Sequence, residues 1–246
     1  MAPLVHAARA TGITTLTLDS PANRNALSAQ LVGELRAAIA GAGEDSGTRA
    51  VVLTHTGNTF CAGADLKSPC DPADFLALLR ELTALPKPVV ARVAGHVRAG
   101  GLGLLGACDV AAAGPGSSFA FTETHLGLAP AVISMTLLPR LDPRAASRYF
   151  LTAEPFDAAE ATRIGLLTLH TDGDPDTALA PVLDGLRKAS PQALAETKAM
   201  VAAGVREALE RDGARLTELS ARLFASAEAR EGITARFERR DPSWVR

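Results

Sequence analysis

Apolar runs and the polar breaks between them divide the first half of the chain into alternating strand-like and helix-like stretches. The run ITTLTL at residues 13–18 is β-branched, partly alternating, and stopped by Asp19-Ser20-Pro21, so it reads as a strand followed by a turn. Ser28 stands where a helix can be capped, Leu31, Leu35, Ala38 and Ile39 recur at helical spacing, and Gly41 supplies a stop. The continuous apolar run at 50–54 predicts a strand covered on both faces. After a polar, glycine-containing stretch over 56–72, a helix is predicted over 74–85. Pro86-Lys87-Pro88 closes it before a strand at 89–93. A second cycle follows, with a helix opened over 100–107 and a strand over 109–113. Alternation of this kind predicts a largely parallel sheet covered by helices, an α/β fold.

From about residue 133 the pattern turns helical. Helices are predicted over 144–151, 158–164, 177–189, 191–205 and 215–236, with 166–170 the one stretch that still reads as a strand. No internal repeat, low-complexity tract or linker interrupts the 246 residues. The expectation is one domain over 1–246, with a core to about 190 and a helical region over about 191–246 that is a candidate for oligomer contacts.

Composition narrows the class. Apolar residues make up 47%, aromatics only 4%, so packing must rest on small and aliphatic side chains. With 25 basic and 27 acidic residues the formal charge is -2, which gives no field for nucleic acid or an anionic membrane surface. No apolar run is long enough for a membrane helix and the N-terminus has no signal-peptide core, so the cytoplasm is the expected location. Cys61, Cys70 and Cys108 show neither paired spacing nor histidine partners, against a disulfide framework or structural zinc.

Two glycine-containing segments carry the candidate chemistry. Phe60-Cys61-Ala62-Gly63-Ala64-Asp65-Leu66-Lys67 follows a buried strand, and its small residues let a ligand approach the backbone. Ala94-Gly95-His96-Val97-Arg98-Ala99-Gly100-Gly101-Leu102-Gly103 places glycines where a strand ends and a helix begins, and free N–H groups at a helix start favour an anion. The second is no dinucleotide fingerprint, because no acidic residue ends a following strand about 20 residues on.

Together these segments resemble the two oxyanion motifs of the enoyl-CoA hydratase/isomerase (crotonase) family. The similarity extends through FAFTETHLGLAP at 119–130, Leu151-Thr152-Ala153, Ala161, Arg163 and Gly165-Leu166, and into EGITARF at 231–237, so it spans nearly the whole chain. The resemblance implies a crotonase-like ββα spiral, two roughly perpendicular sheets flanked by helices, assembled as a trimer or a dimer of trimers. It implies an acyl-CoA thioester substrate whose oxygen sits between the N–H groups of Ala64 and Gly100. Ala22, Arg24, Ala62, Asp65, Leu66 and Lys67 fall where the family holds coenzyme A, largely through main chain. Gly101, Gly103 and His125 fall along the same site. No metal or separate cofactor is implied, since coenzyme A enters with the substrate, and neither nucleic acid nor membrane is a partner.

Glu123 matches one of the two catalytic glutamates of the family's hydratases; the position of the other is Gly103, which has no proton to give. Ala94 also replaces the Asn often found before the glycine. Three enzyme readings follow: hydration of a 2-enoyl-CoA to a 3-hydroxyacyl-CoA by a single glutamate, proton shuttling between the α- and γ-carbons of an enoyl-CoA, and C–C cleavage through an enolate. A fourth is a non-catalytic acyl-CoA or RNA-binding relative. The single-glutamate hydratase is favoured.

Overall fold

The computed structural model describes residues 2–246. Ten strands occur among the described residues: Val5–Ala10 (β1), Ile13–Leu18 (β2), Ala50–His55 (β3), Thr59–Cys61 (β4), Val89–Val93 (β5), His96–Arg98 (β6), Val110–Ala113 (β7), Ser118–Ala120 (β8), Phe156–Asp157 (β9) and Leu169–His170 (β10). They form a six-stranded sheet in the order β1-β2-β3-β5-β7-β10 and a four-stranded sheet in the order β4-β6-β8-β9. The first pair of the larger sheet is antiparallel and its other pairings are parallel.

Alternation of strand and helix alone predicts one parallel sheet; the chain makes two. Each unit of the core gives one strand to the large sheet and a short second strand to the small one. Thus β3 is followed by β4, β5 by β6 and β7 by β8, and the short strands pair in parallel with one another. The helices Pro72–Ala84 (α2) and Gly100–Ala107 (α3) separate these units, and Ala29–Glu44 (α1) precedes them. Ser28 caps α1 through its hydroxyl on the Leu31 N–H, and Asp71 caps α2 through its carboxylate on the Ala73 N–H at 2.7 Å, with Pro72 at the first helical position. Replacing Asp71 with alanine is expected to lower stability by about 1 kcal/mol, measured as a shift of the urea midpoint at unchanged slope.

The apolar runs at 50–54 and 89–93 are continuous because both faces of the large sheet are covered. Val51, Leu53, Val89, Ala91 and Val93 point into the main core with Leu31, Leu35, Phe60, Leu78, Leu79 and Phe119. Ala50, Val52 and Val90 point the other way, against Leu179. Leu179 belongs to the helix Pro175–Lys188, one of seven helices in the second half: Ala131–Leu137 (α4), Pro143–Thr152 (α5), Ala158–Arg163 (α6), Pro175–Lys188 (α7), Pro191–Val201 (α8), Ala203–Phe224 (α9) and Ala227–Glu238 (α10). The helix predicted over 191–205 ends at Val201, and the one predicted over 215–236 is interrupted at Ala225 and Ser226. There Ser226 caps α10 by accepting from the Ala229 N–H.

The C-terminal helices are anchored to the rest. Val205, Ala208 and Leu209 of α9 join the main core, and Lys198 of α8, 4% exposed, donates to the Leu82 and Lys87 carbonyls and to Asp109 at 2.9 Å. No helix among the described residues is long and apolar enough to cross a membrane.

Candidate active site

The first donor segment leaves β4 at Ala62. Gly63 has φ +91°, a conformation that a side chain strains, and this turn lays the chain beside Leu27. The Leu27 N–H donates to the Gly63 carbonyl at 2.8 Å and the Asp65 N–H donates to the Leu27 carbonyl at 3.3 Å. Leu27 thus bridges Ala64 in parallel, which turns the N–H of Ala64 to the opposite side. That N–H has no backbone acceptor among the described residues.

The second segment leaves β6 at Ala99, which takes φ 47° and ψ -119° before α3 begins at Gly100. As the first residue of the helix, Gly100 has an N–H without an intrahelical acceptor. The two segments abut. A methyl placed on Gly63 would stand 2.8 Å from the Ala99 Cβ and 3.6 Å from the Gly100 nitrogen, and one on Gly100 would stand 3.8 Å from the Gly63 Cα. The two segments therefore touch at Gly63 and Gly100, an approach that leaves no room for a side chain on either.

The small sheet connects the second segment to the stretch that carries Glu123. Arg98 of β6 pairs with Ala120 of β8, and the Ala99 N–H donates to the Ala120 carbonyl at 3.2 Å, three residues before Glu123. Glu123 then heads a 3-10 turn, Thr124–Leu126, and its carbonyl accepts from Leu126 and Leu128 at 2.9 and 3.0 Å. Its side chain is 8% exposed and its Oε2 is buried without a hydrogen-bond partner among the described residues. Burial disfavours the carboxylate and pushes its pKa up to about 7, only partly offset by its own N–H. Leaving such a group unpaired costs about 1–3 kcal/mol.

The position of the second carboxylate is filled. Gly103 is buried in α3, and a methyl there would stand 2.5 Å from the Ile133 Cγ2 of α4 and 3.4 Å from the Phe75 Cζ of α2. The Thr136 hydroxyl donates to the Gly103 carbonyl at 3.0 Å, and Gly106, one turn on, packs equally closely on Thr136. Gly103, expected along the site, is packed on its side-chain side against Ile133 and Phe75. Gly101 is likewise buried, against Cys61 and Val97. His125, also expected there, is exposed to solvent.

The residues expected to hold coenzyme A form one ledge beside Ala64. The Ala62 N–H donates to the Arg24 carbonyl at 3.1 Å, and the Asn23 amide donates to Asp65 at 3.1 Å. Asp65 in turn accepts from the Lys67 and Ser68 N–H groups. Ala22, Arg24 and Lys67 are exposed and Leu66 half-buried, and neither Arg24 nor Lys67 enters an ion pair among the described residues. Asn25, which sequence reasoning passed over, holds the ledge in place. It is fully buried, accepts from Ser20 N–H at 2.6 Å, and donates to the Thr56 and Thr59 carbonyls at 3.1 and 2.8 Å. Phe75 and Ile133 were missed too, since each reads as ordinary helix core.

Comparison with known proteins gives the same lineage. A family model described as enoyl-CoA hydratase/isomerase matches residues 8–246. A crystal structure of an enoyl-CoA hydratase from Mycobacterium avium is 50% identical, with a TM-score of 0.93 over 100% of both chains. A carnitinyl-CoA hydratase from the same species is 26% identical with a TM-score of 0.88, covering 100% of this chain and 99% of that one. A Rhodobacter capsulatus protein named "Probable enoyl-CoA hydratase" is 33% identical over 245 residues, 95% of each. The chain belongs to the enoyl-CoA hydratase/isomerase family.

Proposed function

We propose that the protein adds water to a 2-enoyl-CoA thioester to give the 3-hydroxyacyl-CoA, with Glu123 as the one acid/base group. The observation that carries this reading is a buried Glu123 whose Oε2 has no partner among the described residues, on the chain that pairs with the second donor segment, with Ile133 packed where Gly103 would carry a second carboxylate. The thioester oxygen would accept from Ala64 and Gly100. As hydroxide character develops on a water held by Glu123, its oxygen bonds to the β-carbon and its proton passes to the carboxylate. The electron pair of the C=C bond moves to the thioester as an enolate, which the two donors stabilise by roughly 3 kcal/mol each. The same carboxyl then gives its proton to the α-carbon, so addition is to one face. A group that must be base and then acid works best with a pKa near the working pH, and burial places Glu123 there.

Coenzyme A would lie along the ledge of residues 22–27 and 62–67, with Arg24 and Lys67 as cations for its phosphates. The test is turnover of crotonyl-CoA and of longer or branched 2-enoyl-CoAs, followed by loss of the conjugated thioester absorbance and by product mass. The expected product is heavier by one water, and the rate should rise with pH through about 7, because the base form starts the reaction. An isomerised or shortened product from 3-enoyl or β-keto substrates, with no water gained, overturns hydration in favour of the proton-shuttle or C–C cleavage chemistry.

A further inference from the structure

The stretch EGITARF at 231–237 belongs to the family resemblance yet has no part in the chemistry above. It forms the second half of α10, whose buried residues Ala229, Gly232 and Ala235 lie along one side. That side rests on the turn headed by Glu123, and the contact is backbone to backbone. A methyl on Gly232 would stand 2.6 Å from the carbonyl carbon of Leu126, 2.7 Å from its oxygen and 2.8 Å from its Cα. The contact is reciprocal: a methyl on Gly127 would stand 2.6 Å from the Glu228 carbonyl carbon and 2.9 Å from the Ala229 nitrogen. Glycine inside a helix is unfavourable by roughly 1 kcal/mol against alanine, so Gly232 is retained for the contact and not for the helix.

The helix is itself held at its far end. Arg240 donates to both carboxylate oxygens of Glu231 at 2.7 and 3.0 Å, the Ser243 N–H donates to the same carboxylate at 2.8 Å, and the Arg240 N–H closes on the Ala235 carbonyl at 3.1 Å. The chain beyond the helix thus folds back and ties onto it, while the helix abuts the turn.

We propose that α10 is a brace for the acid/base group: Gly232 and Gly127 set the distance between helix and turn, and this keeps the Glu123 carboxyl in its buried place. Gly232 is then a positioning residue, acting through Leu126, 109 residues away in sequence (232 against 123) from the group it positions. The kinetic part of this inference rests on Glu123 acting as proposed above; the structural part does not.

The test uses the full chain with Gly232→Ala, which adds one methyl at the closest approach. Carbon NMR of protein labelled at the glutamate carboxyl follows the Glu123 titration, identified as the signal lost in Glu123→Gln. Turnover of crotonyl-CoA is measured alongside. In a folded, cooperatively melting Gly232→Ala protein, kcat should fall on the order of 10- to 100-fold with little change in KM, the scale of a sub-ångström to 1 Å misplacement. The carboxyl should titrate lower by about one pH unit or more as water reaches it. A folded Gly232→Ala protein with the parent titration overturns the brace. A lowered titration with unchanged turnover supports the brace and overturns instead the role of Glu123 in the reaction. If Gly232→Ala does not fold, Arg240→Gln decides: it frees the tail without touching the turn, a lowered titration supports the brace, and an unmoved one overturns it.

Discussion

Glu123→Gln should lower kcat for the proposed enoyl-CoA hydration by on the order of 10²- to 10⁴-fold, the usual size of a lost general acid/base, and should leave coenzyme A binding intact. The same substitution makes the protein more stable above neutral pH. Burial raises the Glu123 pKa from the ordinary 4.5 to about 7, so the folded protein holds this proton over a range where the unfolded chain has lost it. Stability drawn from the group is therefore present below pH 4.5 and lost as pH rises through about 7. Above that point the parent carries a buried, unpaired charge costing on the order of 3 kcal/mol, and the glutamine variant does not. Melting curves at pH 5 should nearly coincide. At pH 8 or 9 the variant should melt higher by roughly 5–10 °C, the scale for a chain of this size. Coincident curves at both pH values would mean that Glu123 titrates as an ordinary glutamate, and near-full activity would remove it from the mechanism.

Gly63→Ala should cost on the order of 10²- to 10³-fold in kcat, the effect of displacing one donor from an oxyanion site. Two physical causes act together. The backbone at 63 has φ +91°, which an L side chain resists, and the new methyl meets the Ala99 Cβ at 2.8 Å. Relief moves the Ala64 or the Gly100 N–H off the line to the thioester oxygen. Every reaction through a thioester enolate needs both donors, so the loss should appear with any acyl-CoA the enzyme turns over, whereas the Glu123→Gln loss follows proton transfer alone. Normal turnover in a folded Gly63→Ala protein would dismiss this pair as the oxyanion donors.

How much of this could be read in the chain depended on the length of the signal. The strand at 13–18, the capped helix from Ser28 and the buried strands at 50–54 and 89–93 have enough residues to show a period, and the structure places elements there. The three-residue strands β4, β6 and β8 do not. Each is shorter than two periods and flanked by Gly, Asn or Ser, and each exists because the others pair with it. The small sheet was accordingly absent from the pattern and came only from the resemblance. The two glycine segments are legible because a glycine cluster stands out, and the structure brings them together at Gly63 and Gly100. Their supports are not: Asn25 is a single polar residue in a turn, and Ile133 follows Gly103 by thirty residues with nothing in either to announce the other. The breaks at Ala202 and Ala225 lack the glycine or proline that usually marks a helix end, so adjacent helices merged in the reading.

The close seating of α4 on Gly103 and Gly106 also limits where this sequence can go by single steps. A glutamate at 103 cannot enter while Ile133 is present, since even its Cβ would lie 2.5 Å from the Ile133 Cγ2. Shrinking Ile133 first leaves a hole in the core worth roughly 2–5 kcal/mol. Either order passes through a weakened intermediate, so the two sites are epistatic. On the one-carboxylate mechanism proposed above, this sequence is separated from a two-carboxylate one by a valley that neither substitution crosses alone, and a library varying 103 and 133 together would find sequences that scanning each position would miss.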